Sequence, residues 1–136
     1  MTNRMLWTLA ATVSAVLALL APRAEAAELV VVTHLGVTLS ADDLKDVYIG
    51  QMQMAGATRL VPVDNGAAQE AFLARVVRME VGRYNTAWIK KAFRDGVTAP
   101  ALKAGDTEVL DFVRRTPGAV GYVRVVPAGV NVVVLK

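Results

Sequence analysis

The residues best arranged for chemistry run from Leu60 to Phe72, LVPVDNGAAQEAF. Leu60–Val63 reads as a short buried strand, Asp64-Asn65-Gly66 as a tight turn, and Ala67 onward as a helix that buries Phe72. A strand that passes through a small-residue turn into a helix aims the first helical N–H groups above the sheet. Together with the positive end of the helix dipole, those groups make an anion site. The candidate ligand-binding residues are therefore Asp64, Asn65, Gly66, Ala67 and Ala68. Their chemistry would be recognition rather than bond-making. Backbone amides would donate to an oxyanion, and Asp64 could accept from a ligand hydroxyl or a protonated phosphate oxygen. The same turn also reads as a plain βα connection in which Asp64 or Asn65 caps the helix.

Other chemistries lack their residues. There is no cysteine, so thiolate catalysis and cysteine metal sites are excluded. The one histidine, His34, stands alone in a connecting stretch, which suits a solvated polar residue better than a base or ligand. No metalloprotease, nucleophile-elbow or phosphate-loop motif occurs. Asp42 and Asp43 sit where a helix begins, and the dipole accounts for them. Met52 and Met54 have no histidine or cysteine nearby and read as core filler. The expectation is a protein with no catalytic residue, no metal and no cofactor.

These residues need a scaffold, and the chain has room for one. Met1–Ala26 reads as a secretory signal peptide: Arg4 is the positive start, Met5–Ala21 the apolar run, and Ala24-Glu25-Ala26 the small-x-small cleavage pattern. A retained membrane anchor is the rival reading of that run. Residues 27–136 then form a single domain. Removing Arg4, Arg23 and Glu25 from 15 basic and 12 acidic residues leaves a charge of +2. That is too little, and too dispersed, for a nucleic-acid surface. A leader without disulfides suits a bacterial periplasm.

Within the domain, Glu28–Thr33 is a continuous β-branched run, the pattern of a strand covered on both faces. Ser40 opens a helix with Asp43 at the capping-box position, a Leu39–Leu44 staple, and Gly50 as its stop. Gln51–Thr58 reads as a loop and Arg59–Val63 as the next strand. The helix after the turn runs to about Arg78, and Gly82 breaks the chain. Tyr84, Trp88 and Ala92, with Ile89 and Phe93, mark an amphipathic helix closed at Asp95-Gly96. Its basic face, Lys90, Lys91 and Arg94, reads as solvated because acidic residues are interspersed. Val97–Gly105 reads as a loop. Asp106 caps a helix that ends at Thr116-Pro117-Gly118. Ala119–Val123 and Val130–Leu135 are the last strands. Strands separated by helices predict an α/β layered domain with a mostly parallel sheet. The short link between the last two strands predicts that this closing pair is antiparallel.

Several segments in order resemble the substrate-binding proteins of phosphate-type ABC transporters, periplasmic binding proteins with the type II fold. LSADDLKDVYIGQ is similar to that family's capped helix and glycine, and RLVPVDNGAAQEAF to its strand and ligand-loop helix. Trp88–Phe93, Gly96 and Pro100 fall where short members carry a tryptophan helix and a Gly-to-Pro loop. DTEVLDFVRRTPGAVGYV is similar to the family's helix, Pro-Gly stop and following strand. The resemblance implies a three-layer single-lobe domain, with Leu29–Thr33 and the C-terminal strand where hinge strands cross. It also implies phosphate or another small oxyanion as ligand and an ABC permease as partner. Two departures stand out. The family's Ser-Gly-Thr-like triplet is Gly66, Ala67 and Ala68 here, and each lost hydroxyl donor would weaken binding by about 1.5–3 kcal/mol. Arg59 and Arg75, the nearest basic residues in sequence, are not obvious substitutes. The chain also has length for only one of two lobes.

The expected function is thus a periplasmic, non-enzymatic, phosphate-type substrate-binding-like protein. The alternative is a ligand-free interaction module of the cell envelope that keeps the lobe fold, pairing with an envelope protein or with itself. Neither reading involves nucleic acid, and the membrane enters only through the signal peptide during export.

Overall fold

The computed structural model describes residues 28–125 and 127–135. The predicted signal peptide lies outside the described residues. No described helix is long and apolar enough to cross a membrane.

Among the described residues, seven strands and four helices follow one another. They are β1 (Val30–Thr33), α1 (Leu44–Tyr48, entered through a tight turn at Ala41–Asp43), β2 (Met54–Ala55), β3 (Thr58–Arg59) and β4 (Val61–Asn65). Then come α2 (Gln69–Phe72, continued by a wider π-type turn Leu73–Val77), α3 (Val81–Asp95), β5 (Ala101–Lys103), α4 (Asp106–Arg115), β6 (Ala119–Val123) and β7 (Asn131–Val134). The main sheet has the order β5-β4-β6-β1-β7, and β2 and β3 form a separate small hairpin. β4 pairs in parallel with β5 and with β6, whereas β1 is antiparallel to both β6 and β7. Four of the five strands therefore run one way, and the sheet is mostly parallel as expected.

The closing strand is antiparallel to its neighbour, but that neighbour is β1 and not β6. The expectation of a β6–β7 pair is corrected on this point. Both edges of β6 are already taken, by β4 and by β1, so only the outer edge of β1 is free for the last strand. The seven residues between Val123 and Asn131 suffice. They reach at most about 23 Å, while stepping over one strand and back along its length needs only about 14 Å.

Helices cover both faces, giving three layers. Alternation along the strands sends Val31, Val120 and Tyr122 to one face, where Leu44, Val47, Tyr48, Phe72, Leu73, Val77, Tyr84 and Trp88 meet them. Val30, Val32, Val63, Ala119 and Val123 point the other way, against Val109, Leu110 and Val113 of α4. β1 is buried at all four positions, as its unbroken β-branched run predicts. Phe72 stacks on Tyr122 with ring centres 3.8 Å apart, and Tyr48 meets both rings edge-on. Among the described residues, no buried side-chain nitrogen or oxygen lacks a partner.

The local signals behave as their chemistry demands. The Asp43 carboxylate accepts the Ser40 N–H at 3.0 Å, and Leu39 and Leu44 are both buried. Gly50 and Gly96 end α1 and α3 with φ of 76° and 67°. Five expectations need correction. Asp64 and Asn65 are not turn residues or helix caps but the last two residues of β4, held there by pairing with Leu102 and Lys103; the turn is Gly66–Ala68, and α2 starts at Gln69 rather than Ala67. Val97–Gly105 is not all loop, because Ala101–Lys103 adds the edge strand β5 to β4. Likewise Gln51–Thr58 holds most of the small hairpin. The chain break precedes Gly82, which is the second residue of α3; left-handed Arg78 (φ 60°) ends the preceding turn. Ile89 and Phe93 do not join the core; only Tyr84 and Trp88 of α3 are buried.

Candidate functional site

The candidate loop sits where β4 ends and α2 begins, at the carboxyl edge of the parallel strands. Open α/β sheets commonly place their ligands at this edge. The strand alternation that sends Val63 toward α4 turns the next residue, Asp64, toward α3. Its carboxylate is 2% exposed and accepts the hydroxyls of Tyr84 and Tyr122, each at 2.8 Å. Burial raises the Asp64 pKa, while the bonds from Tyr84, Tyr122 and Gln69 pull it back down. Both tyrosines titrate well above their ordinary range, first because they are buried and then because Asp64 faces them. Tyr48 is raised for the same reasons, and its hydroxyl donates to the carbonyls of Val63 and Val120.

Asn65 is wholly buried and uses every polar atom of its side chain. Its Nδ2 donates to Asp106 Oδ1 at 2.7 Å and to the Tyr122 carbonyl at 2.9 Å. Its Oδ1 accepts the Ala67 N–H at 3.0 Å, an Asx turn that shapes the loop. Asp106 was expected to cap α4. It is instead the first residue of that helix, after Gly105, and its second oxygen accepts the Arg124 N–H. One carboxylate thus ties together the carboxyl ends of β4 and β6. Asp64 and Asn65 hold the loop from beneath, with their side chains turned into the protein.

The amides expected to meet a ligand are engaged within the chain. Gly66 N–H donates to the Lys103 carbonyl at 2.8 Å, Ala67 N–H to Asn65 Oδ1, and Ala68 N–H to the Asn65 carbonyl. Among the described residues, the helix-start amides without a partner are those of Gln69, Glu70 and Ala71. Gly66–Ala71, Ala74 and Arg124 line an open hollow of about 450 Å³. Gly66 fits closely there, because a Cβ would come within 3.1 Å of the Lys103 carbonyl oxygen.

Arg124 is the candidate site residue that sequence spacing does not reveal, since Arg59 and Arg75 are the nearest cations along the chain. A signal for it existed: parallel strands bring their carboxyl ends to one edge, and Arg124 follows β6 directly. Arg75 lies elsewhere, donating to the Leu135 carbonyl. Glu70, in the first turn of α2, also lines the hollow, and its charge already answers the positive end of the dipole. Among the described residues, no cluster of histidine and acidic side chains is placed to hold a metal.

No protein-family model and no curated protein matches this sequence. Solved structures do match the fold. One is described as a phosphate ABC transporter substrate-binding protein from Clostridium perfringens with phosphate bound. It is 17% identical, with a TM-score of 0.59, and the match covers 80% of this chain and 44% of that one. Another is PstS from Borrelia burgdorferi, 11% identical with a TM-score of 0.56, the match covering 80% of this chain and 47% of that one. The chain thus spans less than half the length of either protein, and it has the mixed α/β fold of a single lobe of a periplasmic binding protein.

Proposed function

We propose that the chain is a non-enzymatic periplasmic protein of substrate-binding type, and that it receives a small oxyanion, phosphate first, for an ABC transporter. The observation that carries this reading is the hollow at Gly66–Ala71, which is lined by the residues bearing the unpartnered first-turn amides and by Arg124. Gly66, Ala67 and Ala68 line it, with Asp64 and Asn65 as the supports that fix the loop's shape. Binding is weak in this reading. Among the described residues no hydroxyl donor lines the hollow, Glu70 repels an anion, and water reaches it from the open side. Calorimetry with inorganic phosphate tests the reading on a chain beginning at Ala27. Heat at millimolar phosphate that disappears in Arg124→Ala supports it, and no heat at that concentration rejects it.

A second reading has its own observation. The Gly66, Ala67 and Ala68 amides and the Asp64 and Asn65 side chains are all satisfied inside the chain, so the loop is complete without a ligand. A ligand-free module that binds an envelope protein, or a second copy, would show just this self-sufficiency. Silent calorimetry together with a dimer in light scattering would favour it.

A further inference from the structure

Neither the core nor the hollow uses the outer face of α3. The inward face of the helix is Tyr84 and Trp88. Helical spacing puts Gly82, Thr86, Ile89 and Phe93 in one outward stripe, and Arg83, Lys90 and Arg94 in a second stripe along its flank. All seven are exposed. Phe93 is 95% exposed and Ile89 70%, the two most exposed large apolar side chains among the described residues. Of the flanking cations, Arg94 pairs with the adjacent Asp95 at 3.0 Å, wholly at the surface, where such a pair contributes little. Arg83 and Lys90 have no carboxylate partner among the described residues. The helix carries four basic residues and one acidic, so its net charge of +3 exceeds the +2 of the whole chain from Ala27.

We propose that α3 docks lengthwise on an anionic phospholipid surface. Ile89 and Phe93 enter the boundary between headgroups and acyl chains, while Arg83, Lys90 and Arg94 lie against the lipid phosphates. Three features favour a lipid surface over other occupants. The cations complement an anionic bilayer, whereas a second copy would set the two α3 charges against each other. The apolar stripe is a ridge on a convex helix about 22 Å long, which a deformable surface accepts without a matching groove. Aromatic and aliphatic side chains flanked by cations are the composition that seats a helix in the headgroup region.

The test is sedimentation of a chain beginning at Ala27, which holds every described element, with vesicles of equal parts phosphatidylglycerol and phosphatidylcholine. Vesicles of phosphatidylcholine alone are the comparison. The expected result is binding to the anionic vesicles only, lost at about 0.5 M salt. Arg83→Ala combined with Lys90→Ala weakens it about 25-fold, each basic residue near such a surface contributing about fivefold. Phe93→Ser weakens it about tenfold, and Lys90→Arg leaves it unchanged. These side chains are exposed, so thermal melts of the variants should overlay the parent and exclude misfolding. Millimolar free phosphate should leave vesicle binding intact. Competition by phosphate would move the contact to the Gly66–Ala71 hollow and overturn the proposal. So would equal binding to neutral vesicles, no binding to anionic ones, or indifference to the Phe93 and Arg83/Lys90 changes.

Discussion

Replacing Tyr84 by phenylalanine removes one hydroxyl and keeps the ring in place. The lost bond is 2.8 Å long, and it ties α3 to a carboxylate of β4 that is almost inaccessible to water. A hydrogen bond to a charged group contributes about 1.5–3 kcal/mol and a neutral one about 0.5–1.5 kcal/mol. The substitution should therefore cost about 2 kcal/mol where Asp64 is ionised and about 1 kcal/mol where it is protonated. For a domain of this size the larger figure lowers Tm by roughly 10 °C. The sign of the pH dependence follows from the cause of the shift. Burial raises the Asp64 pKa, and the Tyr84 bond opposes that rise. Stability linked to a raised carboxyl pKa is full below the unfolded value of about 3.9 and is lost as pH climbs through the folded value. Removing the Tyr84 donor raises the folded value further, so the variant's deficit widens from acid to neutral pH. Urea unfolding of the parent, Tyr84→Phe, Asp64→Asn and the double variant at about pH 4 and about pH 7.5 tests that direction. The deficit caused by Tyr84→Phe should grow with pH in the parent background and stay constant in the Asp64→Asn background. An equal deficit at both pH values in the parent background would refute the reasoning.

Other substitutions probe the loop and its supports. Asn65→Ala removes three hydrogen bonds from a wholly buried position and should cost about 3 kcal/mol in chemical denaturation. A loss below about 1 kcal/mol would mean that the Asx turn does not organise the loop. Gly118→Ala meets two obstacles: φ is +81°, and the added Cβ runs into the Arg59 carbonyl oxygen, which is backbone and cannot swing away. It should lose at least about 2 kcal/mol by thermal melt. Glu70→Gln takes the competing anion from the start of α2 and should tighten phosphate about two- to fivefold in calorimetry; unchanged affinity would place the anion away from that helix.

The single-lobe architecture bears directly on what the hollow can do. In the described residues Arg124 is the one lining residue from outside the β4–α2 segment, and the hollow is open to solvent. Charge–charge attraction fades as water fills the gap, so affinity here depends on how many donors converge rather than on their strength in isolation. A second surface closing over the hollow would strengthen all of those interactions together.

By itself, the sequence determined whatever neighbouring residues decide among themselves. The unbroken valines of β1 required cover on both faces. Ser40 with Asp43, and Gly50 and Gly96 beyond their helices, set ends that depend only on local hydrogen bonding and φ. The turn between strand and helix was legible only in part: pairing with β5 extends β4 through Asp64 and Asn65, and the turn itself falls on Gly66–Ala68. Tertiary structure decided whatever depends on a distant partner. Ala101–Lys103 is a strand only because β4 offers it an edge, and β7 found β1 because β6 had no edge left. Asp64 is a buried strut because Tyr84 and Tyr122, 20 and 58 residues away, reach it. Spacing predicted that α3 has apolar stripes, but only packing could choose between them. Tyr84 and Trp88 have hydrogen-bond acceptors waiting in the core, Asp64 and the Tyr48 carbonyl, and Ile89 and Phe93 were left facing out.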